Sequence, residues 1–129
     1  MEYINITFPG GKRVTSHVNE FTIETDQSIQ GGGENTAPSP MDLFLSSIAT
    51  CVGMCALGFC KSRNIDTKGM KLALCLKKED KKIKEINLKL TRPASFPKKY
   101  ERVIIDAINQ CCTVKKYIYN PPVISTSLI

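Results

Sequence analysis

The chain has 129 residues, 42% of them hydrophobic, and a formal net charge of +6. That length sets one domain over residues 1–129, large enough for a core and too short for two independent ones. Ordinary apolar content, with no long polar low-complexity stretch, excludes a disordered chain.

The opening MEYINITF holds no basic stretch leading into an apolar one, so no signal peptide is read and a cytoplasmic location is expected. Cysteines stay reduced there, so standing disulfides are not expected among the six present, whereas a transient catalytic one is. Tyr3, Ile4, Ile6 and Phe8 lie in a strand that ends at the turn Pro9-Gly10-Gly11. Val14 to Ile23 reads as one or two further strands, completing an N-terminal meander. Gly31-Gly32-Gly33 lacks the ending of a phosphate loop; its glycines suit a close backbone approach or a positive φ.

Ala37-Pro38-Ser39-Pro40 announces a helix, with Ser39 as cap, Pro40 in first position and Asp42 in the first turn. It is expected to run from Pro40 to Lys61 or Ser62. Its apolar residues cover most of the circumference, the mark of a central helix buried on several sides. Ser46, Ser47, Thr50 and several glycines interrupt the run, which argues against a membrane span. One chain of this size has difficulty enclosing such a helix, so a homodimer is expected.

Leu72, Leu74 and Leu76 alternate, as do Ile86, Leu88 and Leu90, which predicts a long hairpin with one apolar face. Lys77, Lys78, Lys81, Lys82 and Lys84 gather near its tip. They read as a solvated surface: no aromatic–basic interleaving accompanies them, and no nucleic-acid partner is expected. Pro97 opens a second helix to Asn109 or Gln110, Cys112 to Tyr117 a short third, and Val123 to Leu128 a last strand. The order of elements gives an α+β fold.

Cys51 and Cys55 share a helical stripe with Phe44, Ile48 and Phe59, while Cys60 points nearly the opposite way. Cys55, Cys60 and Cys75 read as small buried hydrophobes. Cys51 and Cys112 stay open between packing and redox work. No metal is expected, because Cys51, Cys55 and the adjacent Cys111-Cys112 make an awkward clamp without a CxxC pair. No cofactor is expected either, and His17 reads as a strand residue.

The run Pro38-Ser39-Pro40-Met41-Asp42-Leu43-Phe44 leading to Cys51, followed later by Cys112-Thr113-Val114, resembles the OsmC/Ohr family, in particular its branch of small OsmC-like proteins. Asn120-Pro121-Pro122 resembles the segment before that family's final strand. The resemblance spans nearly the whole chain. It implies an OsmC-like fold in an intertwined homodimer with active sites at the subunit interface, and a thiol-dependent peroxidase acting on organic or hydrogen peroxides. Cys51 resembles the peroxidatic cysteine. Cys112 resembles the resolving one, and is preferred to Cys111 because it precedes Thr-Val. The implied chemistry is a sulfenic acid on Cys51, a disulfide with Cys112, and reduction by an external dithiol. Such a pair must bring its Cα atoms within roughly 7 Å. The family's hydroperoxidases activate the thiol with an arginine from the N-terminal strands held by a glutamate. Arg13 resembles that arginine; Met41 stands at the glutamate's position, and the nearest carboxylate is Asp42. The alternative is a non-catalytic protein that binds a small apolar molecule between subunits, lined by Phe44, Met54, Phe59 and Cys51. No membrane partner is expected.

Overall fold

A computed structural model describes residues 2–129. The chain divides into two compact units, one up to Ser46 and the other Ser47–Ile129.

The first unit holds strands β1 (Ile4–Gly10), β2 (Arg13–Val18) and β3 (Phe21–Thr25), an antiparallel sheet in the order β1-β2-β3. Val14 to Ile23 thus contains two strands, with Val18 paired to Phe21 across a tight turn. The following loop closes around Asp26, which is buried. The Asp26 carboxylate accepts the Thr36 hydroxyl at 2.7 Å and the Gln27, Thr36 and Glu34 amides at 2.7, 3.1 and 3.3 Å. Those donors, led by the Thr36 hydroxyl, hold its pKa down to about 2. Gly33 is what lets this loop close. A Cβ there would run into the Gln27 carbonyl and, at 2.6 Å, into Asp26 Oδ1. The glycine run therefore serves close approach and, at Gly32 with φ of 89°, a left-handed turn.

Helix α1 (Pro40–Ser62) begins in the first unit and continues in the second. Its start is a reciprocal cap. The Asp42 amide donates to Ser39 Oγ at 3.1 Å, and the Ser39 amide donates to the Asp42 carboxylate at 3.0 Å. By length and composition α1 is apolar enough to cross a bilayer, with mean hydropathy 2.0 over its most apolar 18 residues. In the fold it presents one stripe, Ile48, Val52, Ala56, Phe59 and Cys60, to the interior. One chain leaves part of its apolar circumference uncovered, as its length led one to expect: Met54 remains 73% exposed, and Met41, Phe44 and Leu57 are exposed as well.

In the second unit the hairpin of β4 (Lys71–Glu79) and β5 (Lys82–Thr91) pairs Leu72 with Leu90, Leu74 with Leu88 and Leu76 with Ile86. The alternation read from the sequence sets this register. Asp80 and Lys81 turn the chain with φ of 51° and 66°, the double left-handed geometry of a two-residue hairpin loop. A lone hairpin is marginal in water. Its stability comes from packing Leu72, Leu88 and Leu90 against a core of Val52, Ala56, Phe59, Cys60, Ile104, Ile108 and Cys112. Ile104 and Ile108 come from α2 (Glu101–Cys111), which a single 3-10 turn at Lys98–Tyr100 separates from Pro97. Phe59 is the hub of this core, with the Tyr100 ring edge-on at 5.7 Å and the Arg63 guanidinium 3.6 Å above its face.

Helix α3 (Thr113–Tyr119) follows at once, with Cys112 as the extended residue between the two helices. The expected last strand is absent: residues 121–129 carry no regular structure, and Val123 is 97% exposed. A strand needs a neighbour to satisfy its backbone, and this segment has none among the described residues.

Candidate thiol site

Cys51 and Cys112, far apart in sequence, are brought together in the second unit. Cys112 is wholly buried, its accessibility being 0%, and its thiol donates a hydrogen bond to Cys51, which is half-buried. Cys51 lies one turn after the buried Ile48 on α1, at the flank of the buried stripe. Cys112 links α2 to α3 as the cap of both, so the free amides of the first turn of α3 fall beside the Cys51 sulfur. The Val114 amide does most to lower the Cys51 pKa; the Cys112 thiol, the Thr113 amide and the Lys115 ammonium add to it against the opposing effect of burial. Cys112 is pushed the other way, first by burial and then by its contact with Cys51. One sulfur is thus shifted toward the thiolate and the other toward the thiol that donates to it.

Lys115 contributes to this field although its ammonium also donates to Asn109 Oδ1 at 2.9 Å. Sequence reasoning placed Thr113 and Val114 directly after the second cysteine as part of the motif. It did not identify the Thr113 and Val114 backbone amides, because every residue but proline has one and only the fold aims it.

A second sulfur pair lies alongside. Cys55, one turn beyond Cys51 on α1, is joined to Cys111, the last residue of α2, by a disulfide with Cα atoms 6.0 Å apart. This corrects two expectations: that Cys55 is a packing residue and that no standing disulfide forms. The same two segments carry both pairs, so bringing Cys51 to Cys112 also brings Cys55 to Cys111. The i,i+4 spacing and the adjacent cysteines were the signal for it. Cys111 is exposed, whereas Cys55 is half-buried. Cys60 is a fully buried packing thiol whose pKa burial pushes up. Cys75 lies half-buried opposite Asn87 on the hairpin.

Arg13 and Asp42 belong to the first unit. Arg13 Nε donates to the Gly10 carbonyl at 3.3 Å across the β1–β2 turn, beside a cavity of about 170 Å³ that Glu24 and Thr36 also line. The Asp42 carboxylate serves the cap of α1. His17 bonds Thr7 across the sheet at 3.0 Å. Phe59 and Met54, expected to line a common apolar pocket, face different surroundings: Phe59 is core and Met54 solvent-facing. An open cavity of about 530 Å³ lies elsewhere in the second unit, walled by Met70, Leu90, Phe96 and Ile104.

The model of the family described as OsmC-like protein matches residues 32–127, most of the chain and both cysteine segments. The chain belongs to the OsmC-like family. Its fold is that of an OsmC like protein from Mycoplasma pneumoniae, at 16% identity and TM-score 0.73 over 94% of this chain and 89% of that one. A hypothetical protein from Aquifex aeolicus is similar at 20% identity and TM-score 0.70, covering 94% and 89%. An organic hydroperoxide resistance protein from Elizabethkingia anophelis is similar at 18% identity and TM-score 0.61, covering 91% and 89%. No curated protein matches the chain. What these likenesses establish is an α+β OsmC-like fold of meander, long helix, hairpin and further helices. The disulfide-forming cysteine pair that this OsmC-like protein carries is consistent with a two-cysteine hydroperoxide-reducing enzyme.

Proposed function

We propose that this protein is a thiol-dependent peroxidase that reduces organic or hydrogen peroxides through Cys51, with Cys112 as the resolving thiol. The observation that carries the reading is Cys51, a partly buried residue whose sulfur is held toward the thiolate by the amides of Val114 and Thr113 and touched by the Cys112 thiol. The thiolate attacks one peroxide oxygen, the O–O bond breaks, and the other oxygen leaves as alcohol or water after taking a proton. Cys51 is left as a sulfenic acid. Cys112 then attacks that sulfur and expels water, forming a Cys51–Cys112 disulfide. An external dithiol returns the two electrons by exchange.

Arg13 and Asp42 are assigned by family resemblance as the second activating group and its carboxylate. The cap at Ser39 gives Asp42 a helix-starting role as well. The exposed face of α1 and the apolar, strand-free residues Val123, Ile124 and Leu128 support a homodimer that covers them. A cytoplasmic location, with its dithiol reductants, completes the reading.

The test is consumption of cumene hydroperoxide by the dithiol-reduced protein. Wild type is expected to turn over and Cys51→Ser to lose turnover. A wild type that leaves the hydroperoxide intact, or a Cys51→Ser variant as active as wild type, overturns the assignment.

A further inference from the structure

The geometry points to a two-stage sulfur relay, in which Cys55 and Cys111 take over the oxidation from a Cys51–Cys112 disulfide and present it to an external dithiol at the exposed Cys111. This extends the peroxidase reading above and rests on it for the source of the oxidation. Four of the six cysteines lie in two segments that meet: Cys51 and Cys55 one helical turn apart on α1, Cys111 and Cys112 adjacent at the α2–α3 junction. The inner pair includes a sulfur with no solvent access, Cys112, so a bulky reductant cannot approach it there. The outer pair includes an exposed one.

The exchange needs no further oxidant. A thiolate of the outer pair attacks a sulfur of the inner disulfide and forms a mixed disulfide. The remaining outer thiol then displaces the inner one. One S–S bond breaks and one forms. Two electrons pass from the outer pair to the inner, and two protons end on Cys51 and Cys112 or leave to solvent. The structure holds the end state of this transfer, with Cys55 joined to Cys111 and Cys51 and Cys112 free. The direction has a physical cause. Donors that stabilise the Cys51 thiolate stabilise the reduced inner pair and make its disulfide more readily reduced. The outer pair is then the electron donor, and its disulfide the one that accumulates.

The rival is a static staple that never exchanges, and the two separate in one experiment. Fully reduced protein receives one equivalent of cumene hydroperoxide without reductant, is acid-quenched over time and alkylated, and its disulfides are mapped by peptide mass spectrometry. The relay predicts that wild type ends with Cys55–Cys111 alone. In Cys55→Ser, Cys51–Cys112 accumulates and persists. In Cys51→Ser, Cys55–Cys111 forms about tenfold more slowly or worse, since the outer thiols lose their activated point of oxidation. A Cys51–Cys112 disulfide that persists in wild type overturns the relay. So does a Cys51→Ser variant forming Cys55–Cys111 at the wild-type rate, or a Cys55→Ser variant that forms no Cys51–Cys112 bond. The wild-type time course needs no variant to fold. If reduced wild type leaves the hydroperoxide unconsumed, the peroxidase reading fails, and diamide then supplies the oxidation in the same series. Transfer to Cys55–Cys111 under diamide upholds the relay by itself, and persistence of Cys51–Cys112 rejects it.

Discussion

Replacing Thr113 by proline isolates the cause assigned to the Cys51 thiolate. Position 113 is the first of α3, where proline is tolerated because its missing N–H breaks no helical bond. Cys112, the preceding residue, already has φ of −68° and ψ of 103°, the extended geometry that a following proline favours. The Cys112 amide closes α2 on the Ile108 carbonyl and the Lys116 amide opens α3 on the Cys112 carbonyl, and both bonds survive the change. What is lost is one of the two amides aimed at the Cys51 sulfur. A hydrogen bond to a charged group contributes about 1.5–3 kcal/mol. Because Cys51 is only partly buried and water screens it, the lower figure applies, about 1.5 kcal/mol, which is about tenfold in thiolate population at fixed pH. The assay is the rate of iodoacetamide alkylation of Cys51 in reduced protein near neutral pH, followed by peptide mass spectrometry with circular dichroism as the fold control. The expected rate is lower by roughly three- to tenfold, the Val114 amide being retained. An unchanged rate in a folded variant refutes the view that the start of α3 holds the thiolate.

Phe59→Ala removes the ring that Tyr100 and Arg63 pack against, and is expected to destabilise the second unit by about 3–5 kcal/mol in denaturant titration. A loss below about 1 kcal/mol contradicts its place in the core. Asp26 has a folded pKa depressed to about 2, so the stability it contributes is complete above its unfolded value of about 4 and vanishes as the pH falls through about 2. The stability gap between wild type and Asp26→Ala should therefore be widest near neutral pH and close across that window; a pH-independent gap goes against the Thr36 clasp. Asp42→Ala removes half of the reciprocal cap and should cost about 1 kcal/mol in thermal unfolding. Arg13→Leu should lower the rate of hydroperoxide consumption at unchanged helix content, and an unaffected rate removes Arg13 from the proposed site.

What the sequence revealed is local. The Leu72–Leu76 and Ile86–Leu90 alternation states the hairpin register, since a slip of one residue would turn every leucine outward. Ser39-Pro40 states where α1 starts, because capping and proline geometry act within one turn. Two things depended on longer range. The last strand was read from local composition and from the resemblance of Asn120-Pro121-Pro122 to a family segment, yet a strand exists only where another strand pairs with it, and 121–129 has none among the described residues. The covering of α1 has a related cause: an apolar circumference states what a helix would bury, not what one chain has available to cover it, and part of that circumference is exposed here, in line with the difficulty expected of so short a chain. At the thiol site, residue type identified Cys51 and Cys112. It missed Cys55–Cys111, because cytoplasmic cysteines were expected to stay reduced whatever their proximity.

The account rests on Cys51 being the sulfur that peroxide meets first. Reduced Cys112→Ser protein, treated with one equivalent of hydroperoxide in the presence of dimedone, reads this directly, since dimedone traps a sulfenic acid before a thiol condenses with it. One dimedone adduct, on Cys51, is the predicted result. An adduct on Cys55 or Cys111 with Cys51 unmodified would contradict it.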